Sequence, residues 1–356
     1  MHRTTRLTAA CAALGLAAAG TAAGMTGASA AIAPRSTLAS GLVSPLTAAV
    51  TSTGTAYVSQ NFAGSIVRIK PGKAPHTVFQ ARKGVEAGAV SVRKGVLTFS
   101  LSIGEGKGSL IKQRSKSGNV TTLANTGAYE RNKNPDGDVV YGFRDITKQC
   151  AAKFPKNFPV KYKGIVDTHP YATDSGFGSL WVADAAGNDI LRIENGHIST
   201  VAVLPPVPIK ITAKAAKANH VPKCAAGLKY WFEPVPTDVE ARHGQLYVSA
   251  LTGGPEDGSF GPQGRLYTIS PVNGEPTLLA KGLAGAVGVA VSPEGDVFAT
   301  ELFGNRIVRL RDGSGTPQLF RKAKQPAAIE WSRSGLYATT NVLSRTPAGQ
   351  LVRFDN

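Results

Sequence analysis

One short pattern recurs along this chain and limits what it can fold into. Three segments align without gaps, and each has two β-rich runs separated by a tight turn: 57–69 (YVSQNFAGSIVRI), 181–193 (WVADAAGNDILRI) and 298–310 (FATELFGNRIVRL). Looser copies lie at 98–113, 247–269 and 337–354. Where no insertion intervenes, neighbouring copies begin about 40 residues apart, which is the length of one four-stranded propeller blade. The repeat predicts an all-β fold, a six-bladed β-propeller of four-stranded antiparallel blades.

The two ends of the chain are expected to share the last blade. The sixth copy ends at Asn356 without an outer strand, so residues 35–43 are predicted to supply it. Closing the ring in this way removes the unpaired edges of an open sheet. Residues 31–356 are therefore interpreted as one domain.

The first thirty residues have the composition of a bacterial secretion signal. A basic head with Arg3 and Arg6 precedes an Ala- and Leu-rich run, and Ala28-Ser29-Ala30 resembles a cleavage site. No second apolar run of about 20 residues follows, so no transmembrane segment is expected. The protein is predicted to be secreted. Removal of two arginines and no acid changes the formal charge from +17 to +15.

Three insertions interrupt the repeat, at about 125–165, 207–234 and 253–264, and all are predicted to lie on one face of the propeller. Apolar residues at helical spacing, among them Phe143, Cys150 and Phe154 in the first and Ile209 in the second, predict a short helix in each of the two larger insertions. Two cysteines remain after the signal, Cys150 and Cys224, one in each of these insertions. A paired number of cysteines in an exported protein predicts a disulfide.

The same two insertions carry much of the basic charge, interleaved with aromatic residues. The second contains the lysines and the tryptophan of a predicted partner surface: Lys210, Lys214, Lys217, Lys223, Lys229 and Trp231. Such a surface favours an anionic cell-wall polymer or a small extracellular ligand. No specific nucleic acid partner is expected. The alternative is that these charged residues only face solvent and bind no partner.

Polar residues near the ends of the predicted inner strands form a second candidate site. His169, Asp184, Asp238 and Glu301 are predicted to meet at the channel mouth, where they could bind a ligand or perform acid–base chemistry. No cofactor is expected, although Asp184 and Glu301 could hold Ca²⁺. The alternative is that such residues satisfy turn backbones, which is the interpretation given to Asn188, Asp189 and Asn305.

Four segments resemble those of the ScyD/ScyE family of exported bacterial proteins: 128–137 (AYERNKNPDG), 167–171 (DTHPY), 182–188 (VADAAGN) and 235–239 (VPTDV). The resemblance implies a propeller similar to the NHL and SMP-30 proteins, and it names no activity. About thirty residues separate the first two segments, and His169 replaces an asparagine of the family pattern.

Two function classes follow from these features. The first is a non-catalytic, monomeric binding module with its site on the face that carries the insertions. The alternative is a metal-assisted hydrolase, lactonase or lyase of the SMP-30-like type. A purely structural role in the cell wall is a third possibility. Fold analogy does not choose among them.

Overall fold

The computed structural model describes residues 35–104, 108–256, 258–344 and 346–354. The predicted secretion signal lies outside these residues. Within them, no helix is long and apolar enough to cross a membrane.

Short strands make up most of the chain. They are β1 (Arg35–Leu42), β2 (Ala48–Val50), β3 (Ala56–Gln60), β4 (Ser65–Ile69), β5 (His76–Gln80), β6 (Glu86–Arg93), β7 (Val96–Ser102), β8 (Ser109–Arg114), β9 (Val120–Ala124), β10 (Val140–Phe143), β11 (Lys161–Lys163), β12 (Pro170–Gly176), β13 (Ser179–Asp184), β14 (Asp189–Glu194), β15 (His197–Val203), β16 (Val207–Lys210), β17 (Lys229–Phe232), β18 (Pro234–Arg242), β19 (Gln245–Thr252), β20 (Gly264–Ile269), β21 (Pro276–Leu283), β22 (Ala286–Val291), β23 (Val297–Glu301), β24 (Arg306–Leu310), β25 (Gln318–Lys322), β26 (Ile329–Ser332), β27 (Gly335–Thr340) and β28 (Gly349–Phe354). The α-helices are α1 (Thr126–Lys133), α2 (Lys148–Ala151) and α3 (Ala213–Ala218), and short 3-10 turns span Asn61–Ala63, Lys223–Ala225 and Arg311–Gly313.

The strands pair into seven four-stranded antiparallel sheets. Five consist of consecutive strands: β2–β5, β6–β9, β12–β15, β18–β21 and β22–β25. A sixth combines β26, β27 and β28 with β1, whose Ser36 and Thr37 lie opposite Arg353 and Val352. The prediction that residues near the N-terminus complete the last sheet is confirmed.

These six sheets are arranged in a closed ring. Their first strands contact one another in the cycle β2, β6, β12, β18, β22, β26 and back to β2. Each neighbouring pair of sheets shares one buried hydrophobic cluster; Val182 packs with Ile111 in one cluster, and Trp181 with Val248 in the next. Burial of both faces of each sheet explains why the sheets need each other to fold.

The seventh sheet, here called the insertion sheet, has the strand order β11-β10-β17-β16 and was not predicted. The two larger insertions contribute two strands each. They also contain the short helices α2 and α3, so the predicted helices are present. Phe143 and Ile209, however, end up in strands β10 and β16. The third insertion, 253–264, enlarges the turn between β19 and β20.

Candidate functional site

The insertion sheet has one apolar face and one polar face, because successive side chains of a strand point to opposite sides. On its inner face Phe143, Ile209 and Tyr230 pack in a buried cluster with Cys150. The rings of Phe143 and Tyr230 meet edge to face with their centroids 4.9 Å apart. This small core fixes the direction in which the remaining side chains point.

The outer face, here called the basic face, consists of Lys161, Lys163, Lys210, Lys229 and Trp231. The four lysines are exposed. Lys210 lies directly opposite Lys229 in the ladder between β16 and β17. Like charges placed opposite each other in an antiparallel pair destabilise it. No residue of the four strands is acidic.

Two neighbouring contacts complete this surface. The guanidinium of Arg144 lies 4.6 Å from the centroid of the Trp231 ring. Lys163 pairs with the exposed carboxylate of Asp138 at 2.8 Å, and exposed pairs of this kind contribute little to stability. The other predicted lysines, Lys214, Lys217 and Lys223, are also exposed, but they lie on α3 and the following 3-10 turn rather than on the basic face.

The predicted disulfide is present and joins the two insertions. Cys150, in α2, is bonded to Cys224, in the 3-10 turn before β17, with their Cα atoms 5.9 Å apart. The bond crosses a sequence separation of 74 residues. It therefore fixes the position of one half of the insertion sheet relative to the other.

Of the four predicted channel-mouth residues, Asp184 and His169 lie together. The backbone N–H of His169 donates to Asp184 Oδ1 at 2.6 Å, and the hydroxyl of Thr168 donates to Asp184 Oδ2. Asp184 is buried, with a third hydrogen bond from the N–H of Gly187. These donors hold Asp184, the last residue of β13, beside the start of β12.

The other two predicted residues have separate partners. Glu301 is buried and accepts hydrogen bonds from Arg306 Nε at 2.7 Å and Nη2 at 3.0 Å. Asp238 accepts from the N–H of Val289, on the next inner strand, at 2.9 Å. Both carboxylates thus join structural elements, and neither has a hydrogen bond to Asp184 or His169 within the described residues.

The central channel contains a narrow cavity lined by residues of all six ring sheets. Its walls carry Asp174, Asp238, Glu240 and Glu330. Each of these side chains is partly exposed. Burial raises the pKa of Asp238 to about 7, although the hydrogen bonds from two backbone N–H groups lower it. Burial also raises the pKa values of Glu240 and Glu330 well above their usual range, and nearby carboxylates raise them further.

At the channel mouth His169 pairs with a residue that sequence reasoning missed. Its Nε2 lies 3.2 Å from Glu86 Oε2, and Asn61 Nδ2 donates to the other oxygen of Glu86 at 2.8 Å. Burial alone would raise the pKa of Glu86, but the charge and hydrogen bond of His169 hold it below its usual value. The pair is an acid–base couple with limited access to water.

A further group of acids lies where the first insertion meets the β12–β15 sheet. This acid pocket comprises Glu130, Asp136, Asp184 and Asp189 together with Asn188, all buried. Burial, reinforced by the charges of Asp184 and Asp136, raises the pKa of Glu130 to about 8. Burial also raises the pKa of Asp189 well above its usual value; Asp184 and Glu130 raise it further, and a weak contact with Thr200 lowers it.

Asn305 and Asp189, both interpreted from the sequence as residues that satisfy turn backbones, differ in the structure. Asn305 does satisfy a backbone group, since its Oδ1 accepts from the N–H of Gln325 at 2.9 Å. Asp189 does not, because both its carboxylate oxygens are buried without a hydrogen-bond donor among the described residues. The motif segments 128–137 and 182–188, which carried the family resemblance, supply most of this pocket.

Comparisons with known proteins bear on the fold. No protein family model and no curated protein matches the chain. Among solved structures, it is similar to PQQ-bound aldose sugar dehydrogenase from Streptomyces coelicolor, with 15% identity over 90% of this chain and 98% of the other and a TM-score of 0.54. These neighbours are β-propellers. This chain has the same fold.

Two more of these propellers are enzymes by name. A gluconolactonase from Xanthomonas campestris shares 10% identity over 90% of this chain and 89% of its own, with a TM-score of 0.51. A catalytically inactive histidine-to-alanine variant of virginiamycin B lyase from Staphylococcus aureus, bound to quinupristin, shares 14% identity over 90% and 98%, with a TM-score of 0.50. At such identities the similarity establishes the β-propeller alone.

Proposed function

We propose that this β-propeller is an extracellular binding module that holds an anionic polymer on the basic face of its insertion sheet. The observation that carries the proposal is the direct opposition of Lys210 and Lys229, beside Trp231, on a rigid sheet. Like charges directly opposite each other in an antiparallel pair destabilise it. A bound anion would turn that repulsion into attraction, and the tryptophan ring offers a flat contact for sugar or aromatic groups.

Three further proposals concern the number of blades, the family and the location of the protein. Six of the seven sheets are blades and the insertion sheet is an accessory, which is supported by the closed cycle of first strands. The chain belongs with the ScyD/ScyE proteins, as its motif segments imply. It is secreted and acts as a monomer, and the Cys150–Cys224 disulfide is consistent with an oxidising compartment.

The binding experiment uses the mature protein and immobilised poly(glycerol phosphate), a wall-type polyanion. The triple variant Lys161→Glu, Lys210→Glu and Lys229→Glu is compared with Lys70→Glu, Lys73→Glu and Lys83→Glu, which changes three exposed lysines in and after the β2–β5 sheet by the same total charge. We expect retention to fall at least tenfold in the first variant and little in the second. Equal losses would show a general charge effect and contradict the proposed site.

A second candidate function is hydrolysis or lyase chemistry at the channel mouth, with His169 as general base. The observation that favours it is the half-buried pair of His169 and Glu86, because a carboxylate orients and strengthens a histidine base. It also fits the enzyme activities of the similar propellers. A panel of lactones and ester-bridged cyclic peptides tests it: turnover lost in His169→Ala would support it, whereas no turnover, or turnover unchanged in that variant, would contradict it.

A further inference from the structure

Asp189 is a buried carboxylate without a hydrogen bond of normal geometry among the described residues, since its contact with Thr200 is weak. Its side chain is 1% exposed, and neither oxygen has a donor among the described residues. Leaving a buried polar group unsatisfied costs about 1–3 kcal/mol, and more for a charged group. The amide oxygen of the adjacent Asn188 is also buried without a donor, while its Nδ2 donates to Asp136 Oδ2 at 2.9 Å.

The surroundings of Asp189 add negative charge. Asp189 lies directly opposite Asp184 in the ladder between β13 and β14. Glu130 and Asp136 from the first insertion are close enough to repel it electrostatically. Within the described residues, no lysine or arginine forms an ion pair with any of these four acids. A buried group of like charges is stable only if protons or a bound cation neutralise it.

We propose that the acid pocket binds one hard divalent cation, Ca²⁺ by preference, with Asp189 and the amide oxygen of Asn188 among its ligands. Ca²⁺ accepts six to eight oxygen ligands in flexible arrangements that mix carboxylate, amide and backbone oxygens. No three Asp, Glu, His or Cys side chains of the described residues already converge as a metal-ligand set. Binding therefore requires the side chains of the pocket to rotate toward the cation.

Such a cation would join two parts of the chain. Glu130 and Asp136 belong to the first insertion, whereas Asp184, Asn188 and Asp189 belong to the β12–β15 sheet. The cation would thus fasten the insertion to the ring beside the channel mouth, where the N–H of His169 also donates to Asp184. This role is independent of the basic face, which lies on other residues.

The first test is thermal unfolding of chelator-treated protein with Ca²⁺ alone or with EDTA. For the wild type, and for the control Asp138→Asn in the same insertion, we expect Ca²⁺ at about 100 times its Kd to raise Tm by roughly 5 °C. In Asp189→Asn the rise should disappear. Equal Tm values in Ca²⁺ and EDTA for the wild type would overturn the proposal and leave protons as the neutralising charge.

A second measurement on the wild type does not depend on any variant folding. Tyr141 donates to Asp136 Oδ2 at 3.0 Å, so a lanthanide in the pocket would lie near its ring. Tb³⁺ emission excited through tyrosine is expected to appear on titration and to fall when Ca²⁺ competes. Absence of this emission, or emission that Ca²⁺ does not displace, would overturn the proposal.

Discussion

Removing the Cys150–Cys224 disulfide should destabilise the protein by an amount that its loop length sets. The two insertions are held together by a short seam: β10 and β17 pair at Gly142–Trp231 and Phe143–Tyr230. The disulfide closes a loop with a sequence separation of 74 residues. In the chain-entropy account, a crosslink of that span stabilises the folded state by about 4 kcal/mol. We expect the double variant Cys150→Ala and Cys224→Ala to lose up to that amount.

The assay is urea unfolding of the variant and of the wild type with and without reductant. Reduction keeps both sulfur atoms in the structure, so it separates loss of the crosslink from loss of packing around the buried Cys150. Amide exchange at Phe143, whose N–H donates to Val160 at 2.7 Å, and at Ile211, whose N–H donates to Leu228 at 2.9 Å, locates the effect. Exchange at both should quicken by up to about a thousandfold, since 1.4 kcal/mol corresponds to tenfold. A loss under 1 kcal/mol with unchanged exchange would show that the disulfide does not stabilise the insertion sheet.

Three further predictions concern stability. Replacing Arg306 with Met leaves the buried Glu301 unpaired and should lower the free energy of unfolding in urea by about 3 kcal/mol. The added change Glu301→Gln should restore most of that free energy. An unchanged stability of the Arg306→Met variant would contradict a stabilising role of this ion pair. Gly142→Ala should destabilise more than Gly227→Ala: both have positive φ, but an added Cβ at Gly142 would lie 2.4 Å from the Val160 carbonyl oxygen and one at Gly227 would meet nothing within 4 Å. Because the pKa of Asp238 is raised in the fold from about 4 to about 7, the folded state binds more protons between these pH values, so stability should fall as pH rises through that window. Unfolding midpoints from pH 4 to 8 should slope less in Asp238→Asn, and an equal slope would contradict the shift.

The ring of sheets was predictable from the sequence because it repeats. Each copy carries the same run of strand, turn and strand, so Tyr57, Trp181 and Phe298 identify equivalent positions without any knowledge of neighbours. The closing strand was predictable too, since a ring that lacks one strand at its C-terminus must take it from the N-terminus. The disulfide followed from the pairing of two cysteines.

The insertion sheet was not predicted because its strands are short, occur once and pair across distant segments. The order β11-β10-β17-β16 joins residues from either side of the β12–β15 sheet, and no local pattern specifies such a partner. These segments give no clear period-two pattern, because Pro208 and Trp231 occupy outward positions where a half-buried strand would have polar residues. In the first insertion, the helical spacing of Phe143 and Cys150 favoured a helix.

The candidate sites show a similar division. Asp184 and His169 lie next to each other in the structure, whereas Glu301 pairs with Arg306, five residues away, a pairing that the repeat does not specify. Asp189 was assigned to a turn because Asp commonly serves one, and only the three-dimensional packing exposes its missing donors. Glu86 begins an inner strand with no distinguishing motif, so its pairing with His169 needed the structure.

The salt dependence of polyanion binding is the sharpest test of whether the basic face binds an anionic polymer. The logarithm of the association constant of the mature wild-type protein for poly(glycerol phosphate) is measured against the logarithm of salt concentration. Each lysine contact with phosphate contributes roughly one to the slope. We expect a steep negative slope that becomes shallower by about two to three in the Lys161→Glu, Lys210→Glu and Lys229→Glu variant. A slope near zero, or one unchanged in that variant, would contradict it.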